Sequence, residues 1–181
     1  MATLCYTVVN TKYDLDEFDC DNPSINRLVQ ESLYPTLLDQ IQTYKISVQD
    51  RRVGFIAFSV LKVSCENSDA QFAEYYHSSP SYGAILINFI AVDRHVQHKG
   101  IGTTALQYIV NETNKLCDFL PIRLLIVDAL RSKLEWYEKR GFLPLCSSDV
   151  KGDSETIRMY MDIMPEARKK RLASYIEDMC S

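Results

Sequence analysis

The stretch VDRHVQHKGIGTTALQYIV (92–110) sets Gln97, His98, Lys99, Gly100, Ile101, Gly102 and Thr103 between two apolar segments of different period. Before it, AILINFIAV (84–92) is almost continuously apolar, as in a central strand buried on both faces. After it, the apolar residues recur at helical spacing. A glycine turn that enters a helix presents backbone N–H groups with no partner, and the helix dipole adds partial positive charge there. Gly100 and Gly102 carry no Cβ, so the backbone can approach a bulky anion, and His98 and Lys99 add donors or charge. This chemistry suits a pyrophosphate. The spacing is neither GxGxxG nor GxxxxGK[ST], which excludes the two common nucleotide loops. Taken alone, the two glycines equally suit a tight strand–helix turn that needs small residues.

The elements around this loop follow from pattern. TLCYTVV (3–9) reads as a strand. A helix then starts with Asn22 or Asp21 as its cap and Pro23 in its first turn, and presents Ile25, Leu28, Val29 and Leu33 on one face. Pro35 interrupts it, and a short second piece follows. Residues 43–49 and 53–64 form a hairpin with its turn at DRR, and 65–82 is a polar loop with a short helix around 69–76. Strand 83–92, helix 100–117 and strand 122–129 imply a parallel crossover. A helix over 132–140 stops at Gly141. FLPLC and 156–163 are strands, and a last helix covers 164–179. The expectation is a single-domain α/β fold with a mixed sheet: residues 1–163 form the domain and 164–181 a C-terminal helical extension.

With 181 residues, an apolar fraction of 46 % and a charged fraction of 24 %, the chain suits one soluble domain with a sizeable core. No apolar run is long enough to span a membrane. The N-terminus lacks the pattern of a signal peptide, so a cytoplasmic location is expected. The six cysteines fall in no CxxC pair and read as free thiols, with no metal site expected. The net charge of −4 argues against a general nucleic-acid binder but leaves room for a local basic patch.

Two segments at related spacing carry a resemblance. Gln97 to Gly102 match the Q/R-x-x-G-x-G/A pattern of motif A in the GNAT superfamily of acyl-CoA-dependent N-acyltransferases. LLIVDAL (124–130) resembles that family's next strand, and LEWYEKRGFLPL (134–145) is similar to its FYEKxGF segment. The resemblance implies a GNAT-like fold, mostly antiparallel, with a central splayed parallel strand pair flanked by helices. It also implies acetyl-CoA as co-substrate and no metal. Backbone amides from His98 to Thr103 would hold the pyrophosphate, and the pantetheine arm would pair with backbone at Ile90, Ala91 and Val92. An amide near Val92 would polarise the thioester carbonyl.

Tyr137 matches the tyrosine of FYEKxGF, which in GNAT enzymes often protonates the departing thiolate. A phenol of pKa about 10 stays protonated at neutral pH and can do this. The plainer role for Tyr137 is packing of its ring. No general base stands out: Glu135 and Glu138 point elsewhere on the helix, Glu74 is a weak candidate, and His77 and His95 read as solvated or structural. Water can take the amine's proton.

DLDEFDCDNPSINRLVQES (14–32) further resembles the FxCGxxxLDxFL segment of GNAT toxins from bacterial toxin–antitoxin modules, which acetylate the α-amine of aminoacyl-tRNA. The chain departs from them in having Asp21 where glycine is usual and in its acidic charge. ARKKRLASYIEDMC (167–180) reads first as a solvated face; the sharper readings are a basic patch for tRNA, extended by Arg51 and Arg52, or an arm docking on a second subunit of a homodimer. The function expected is N-acetyl transfer to a primary amine, with aminoacyl-tRNA as one acceptor and an antitoxin protein as a partner. The alternatives are a protein or small-molecule acceptor, and a non-catalytic acyl-CoA-binding regulator.

Overall fold

In the computed structural model, which describes residues 3–64 and 81–179, local signals account for most element boundaries. Strand β1 is Cys5–Val8, helix α1 Pro23–Glu31, α2 Leu33–Leu37, β2 Gln42–Val48 and β3 Arg51–Ser64. Then come β4 Ser81–Val92, α3 Ile101–Leu116, β5 Ile122–Leu130, α4 Leu134–Glu138, β6 Leu143–Pro144, α5 Ser147–Lys151, β7 Thr156–Asp162 and α6 Glu166–Met179. The seven strands form one sheet in the order β1-β2-β3-β4-β5-β7-β6. Among the described residues only β4 and β5 pair in parallel, with α3 as the connection between them. This is the mixed, GNAT-like sheet the sequence implied. The short helix expected around 69–76, with Glu74 and His77, lies outside the described residues.

Asn22 is the cap of α1: its Oδ1 accepts the N–H of Ile25 at 3.0 Å, satisfying one of the helix's free donors. Asp21, just before it, has φ 65°. That is the left-handed region, which explains why glycine is usual there and why aspartate, which tolerates it, can substitute. The apolar face of α1 is narrower than its spacing suggested, since Val29 is fully buried while Leu28 is 44 % exposed. The helix breaks at Ser32, and Pro35 lies inside α2 instead of ahead of it. Proline lacks an N–H and its ring collides with the carbonyl four residues back, so the break must precede it. Ser32 Oγ donates to Val29 O at 2.7 Å at that point.

The β2–β3 turn is Gln49–Asp50, not DRR: both residues have positive φ, 48° and 62°, and Val48 pairs with Arg51. Two positive φ values suit a type I′ turn, whose twist matches a hairpin. Arg51 and Arg52 are therefore strand residues. The guanidinium of Arg52 donates to Asp14 O at 2.9 Å and lies against Phe18 and Phe55, so only Arg51 is left exposed. The expected strand FLPLC shrinks to Leu143–Pro144, because Pro144 cannot donate to a ladder, and α5 follows it unforeseen.

One irregularity shapes the centre. Ala57 pairs with Phe89 and Phe58 with Ile87, leaving Asn88 as a bulge in β4. Ile85 and Ile87 join the core beneath α3 with Ala105, Leu106 and Ile109, whereas Phe89 and Ala91 join the core beneath α1 with Phe18 and Val29. In a regular strand these four would share one face; the extra residue switches it. Pairing of β4 with β5 also stops here, at Ile87–Val127, although the strands run on to Val92 and Leu130. Beyond Ile87, β4 is thus not buried on both faces: Asn88, Ile90 and Val92 are half-buried along a cleft where β5 has departed.

Candidate active site

The cleft wall is backbone. Asp93 N–H donates to Val53 O at 2.9 Å, so Asp93 faces β3. Because successive residues of an antiparallel strand face opposite ways, the N–H and C=O groups of Ile90 and Val92 point away from β3, into the cleft. Ala91, between them, faces β3 and packs in the core. Val92 O is taken by Gln97 Nε2 at 3.1 Å. The Val92 N–H and both groups of Ile90 then face the cleft, where an extended chain could complete the ladder that β5 abandons.

The loop below has the shape its residues demanded. Asp93 Oδ1 accepts the His95 N–H at 2.9 Å and opens a short 3-10 turn, Arg94–Val96. His98 at φ 60° and Gly100 at φ 82° then turn the chain into α3. The first amide of α3 to find a helical carbonyl is that of Thr104, on Gly100 O at 3.0 Å, which leaves Ile101, Gly102 and Thr103 as free donors at the positive end of the dipole. His98 and Lys99 are exposed, and Lys99 makes no ion pair among the described residues. The two glycines differ. A Cβ on Gly100 would meet nothing within 4 Å, so its outer side is open. A Cβ on Gly102 would touch Val92 Cγ2 and Trp136 Cζ2, both at 3.7 Å. Gly102 therefore marks where the end of β4, the start of α3 and α4 converge.

Tyr137 sits on α4 beside that junction. The expected stop at Gly141 is real: it has φ 88°, Gly141 N–H donates to Glu138 O at 3.0 Å, and Phe142 N–H to Tyr137 O at 3.2 Å. This Schellman arrangement brings the Phe142 ring against Tyr137, with centroids 5.4 Å apart. Trp136 closes the other side at 4.8 Å, edge to face. Tyr137 is 9 % exposed, and burial pushes its phenol up to about 12, against an opposing pull from the Arg140 charge. The phenol is held in its protonated form.

Arg140 is a residue the sequence reading passed over. It donates from Nη2 to Thr103 Oγ1 at 2.7 Å and from Nη1 to Trp136 O at 2.7 Å, and lies over the Trp136 ring at 3.9 Å. Its only signal is its place in EKRGF, which the pattern leaves unspecified. Glu135 and Glu138 are exposed, and Glu135 pairs with Lys139 at 2.6 Å, so neither serves Tyr137. His95 is exposed beside Arg94. Among the described residues no cluster could hold a metal, and Cys5, Cys20, Cys117 and Cys146 are free thiols.

A bulged central strand, a splayed parallel pair and a helix-start loop at the mouth of the splay give the GNAT-like fold that the resemblance implies. No family model matches the chain, and no curated protein does. Solved structures do. The chain is similar to a bacterial toxin at 19 % identity, with 97 % of this chain and 96 % of that one covered and a TM-score of 0.75. It is similar to AtaT complexed with acetyl-methionyl-tRNAfMet at 18 % identity, 88 % and 95 % coverage and a TM-score of 0.73. AtaTR bound with acetyl-CoA matches at 16 % identity, 98 % coverage of each chain and a TM-score of 0.71. The likeness of fold therefore covers up to 98 % of the chain.

Proposed function

We propose that this protein is an N-acetyltransferase that uses acetyl-CoA to acetylate a primary amine, the α-amine of aminoacyl-tRNA, and acts as a toxin restrained by an antitoxin protein. The observation that carries the reading is the parting of β4 from β5 at Asn88, which leaves the Ile90 and Val92 backbone groups facing a cleft that ends in the free amides of α3. Those amides, with Lys99 and the open side of Gly100, suit a pyrophosphate. Ile90 and Val92 suit the amide-bearing pantetheine arm. Acetyl-CoA supplies an activated thioester; the protein supplies the rest. The Val92 N–H polarises the reacting carbonyl. Tyr137 holds a proton at its hydroxyl for the leaving sulfur. The amine loses its proton to water.

The acceptor rests on likeness of fold to AtaT, which was captured with acetyl-methionyl-tRNAfMet, and on the DEFDCDN turn at the head of α1. Lys170 and Arg171 on α6 and Arg51 on the hairpin are exposed basic groups that a polyanion could meet. A cytoplasmic location and a homodimer belong to the same reading. Labelled acetyl-CoA offered to charged tRNA, total protein and a panel of small amines tests it. Label entering charged tRNA is expected. Label entering only protein or small amines overturns the acceptor, and label entering none overturns the enzyme.

A further inference from the structure

Gln97 belongs to the motif A pattern, yet its side chain turns away from the loop's open face. Gln97 Nε2 donates to Cys20 O at 2.9 Å and to Val92 O at 3.1 Å. Both hydrogens of the amide are thus spent on carbonyls from two other segments. One is the cleft-facing carbonyl of Val92, which would otherwise have lost its strand partner. The other lies in the turn that opens α1. That turn is itself knotted: Asp19 Oδ1 accepts from Asp21 N and Asn26 Nδ2, each at 2.8 Å, and Cys20 N–H donates to Asn26 Oδ1 at 2.9 Å. It is tied to the loop a second time, by Arg94 N–H on Asp19 O at 2.9 Å and Arg94 Nη1 on Asp19 Oδ2 at 2.8 Å.

We infer that Gln97 is a positioning residue: it fastens the loop 97–102 to the knotted Asp19–Asn26 turn and so holds the α3 amides in the shape that receives a pyrophosphate. This rests on the acetyl-CoA reading above. The turn runs into the first turn of α1, where Asn26 lies, so the head of α1 and the anion loop are held together. The role needs donors, not a side chain that touches the ligand. Methionine keeps the length and apolar stem without donors, and glutamate would set a carboxylate against two carbonyl oxygens.

The test compares acetyl-CoA with S-acetylpantetheine, which keeps the thioester and part of the arm but lacks the pyrophosphate. Both are titrated into the wild type, Gln97→Met and Asp19→Asn. The wild type is expected to prefer acetyl-CoA strongly. Gln97→Met is expected to weaken acetyl-CoA about tenfold, the loss of two donated hydrogen bonds, while S-acetylpantetheine stays within about twofold. Asp19→Asn, which spares Gln97 and weakens the second tie, is expected to move the same ratio in the same direction by less, and it stands in if Gln97→Met does not fold. Equal weakening of both ligands in either folded variant, or no change for acetyl-CoA, overturns the inference. A wild type that binds both ligands alike overturns the pyrophosphate reading instead.

Discussion

Arg140 ties the end of α4 to the first turn of α3 through its 2.7 Å hydrogen bond to Thr103 Oγ1. The cleft-facing end of β4 and the loop that starts α3, close to each other in sequence, meet there the distant helix that carries Tyr137. The tie is strengthened by the Trp136 ring beneath the guanidinium. Stacked, half-desolvated pairs of this kind are worth about 0.5–2 kcal/mol, and a hydrogen bond to a charged group about 1.5–3 kcal/mol.

Arg140→Ala is therefore expected to lower stability by about 1–3 kcal/mol in urea unfolding. Acetyl-CoA binding should weaken with it, because Thr103 and its amide lose their brace. Arg140→Lys should recover only part of both, since an ammonium cannot form the planar fork that reaches Trp136 O and Thr103 together. A lysine variant indistinguishable from wild type would show that charge alone suffices.

The two loop glycines should respond differently. Gly102→Ala places its Cβ at ordinary contact distance from Val92 and Trp136, so the fold should tolerate it. Gly100→Val fills the open side of the loop and also forces a β-branched residue to φ 82°. Calorimetry should show acetyl-CoA binding weakened at least about tenfold for folded Gly100→Val. Unchanged affinity there would remove the loop from the site.

Much of this was legible because it is local. QHKGIG, the Asn22–Pro23 start of α1 and the KRGF stop of α4 each act through their own backbone, and each formed where expected. What stayed hidden depends on partners distant in sequence. The bulge at Asn88 exists only relative to β3, and NFIAV reads the same with or without it. The turn lies at Gln49–Asp50 and not at DRR; positive φ at Gln49 carries no strong residue signal, whereas a glycine there would announce it. Arg140 and Thr103 are joined only once β5 sets α4 beside α3.

Alkaline stability gives a check independent of any ligand. Burial raises both Tyr137 and Tyr6 to about 12. In the unfolded chain these phenols ionise near pH 10 while the folded protein keeps its protons, so stability falls as pH rises between about 10 and 12 and is unaffected below that window. Urea titrations from pH 8 to 11.5 should show that decline, and it should be shallower in Tyr137→Phe. Asp14 adds the opposite limb. The Lys45 ammonium, 2.6 Å away, is the largest influence holding its carboxyl down at about 2, so its contribution is present above about pH 4 and is lost as pH falls toward 2. Asp14→Asn should flatten the acid limb.

The toxin reading predicts a phenotype. Strong induction of the soluble protein in a bacterium should arrest growth, and Tyr137→Phe should relieve the arrest. Normal growth at high soluble expression would contradict the toxin role and leave acetyl transfer standing.

The chemistry at Tyr137 is the centre of the account. Phenylalanine keeps the ring between Trp136 and Phe142 and removes only the proton. That proton is proposed to be used in the transition state, so its loss should appear in turnover and barely in acetyl-CoA affinity. The decisive measurement is kcat and the acetyl-CoA dissociation constant for Tyr137→Phe, with whichever acceptor takes label. The account predicts a kcat lower by about 10²–10⁴-fold at near-normal affinity. A kcat within a fewfold of wild type, with only a change in stability, would show that Tyr137 packs the core and does not deliver the proton.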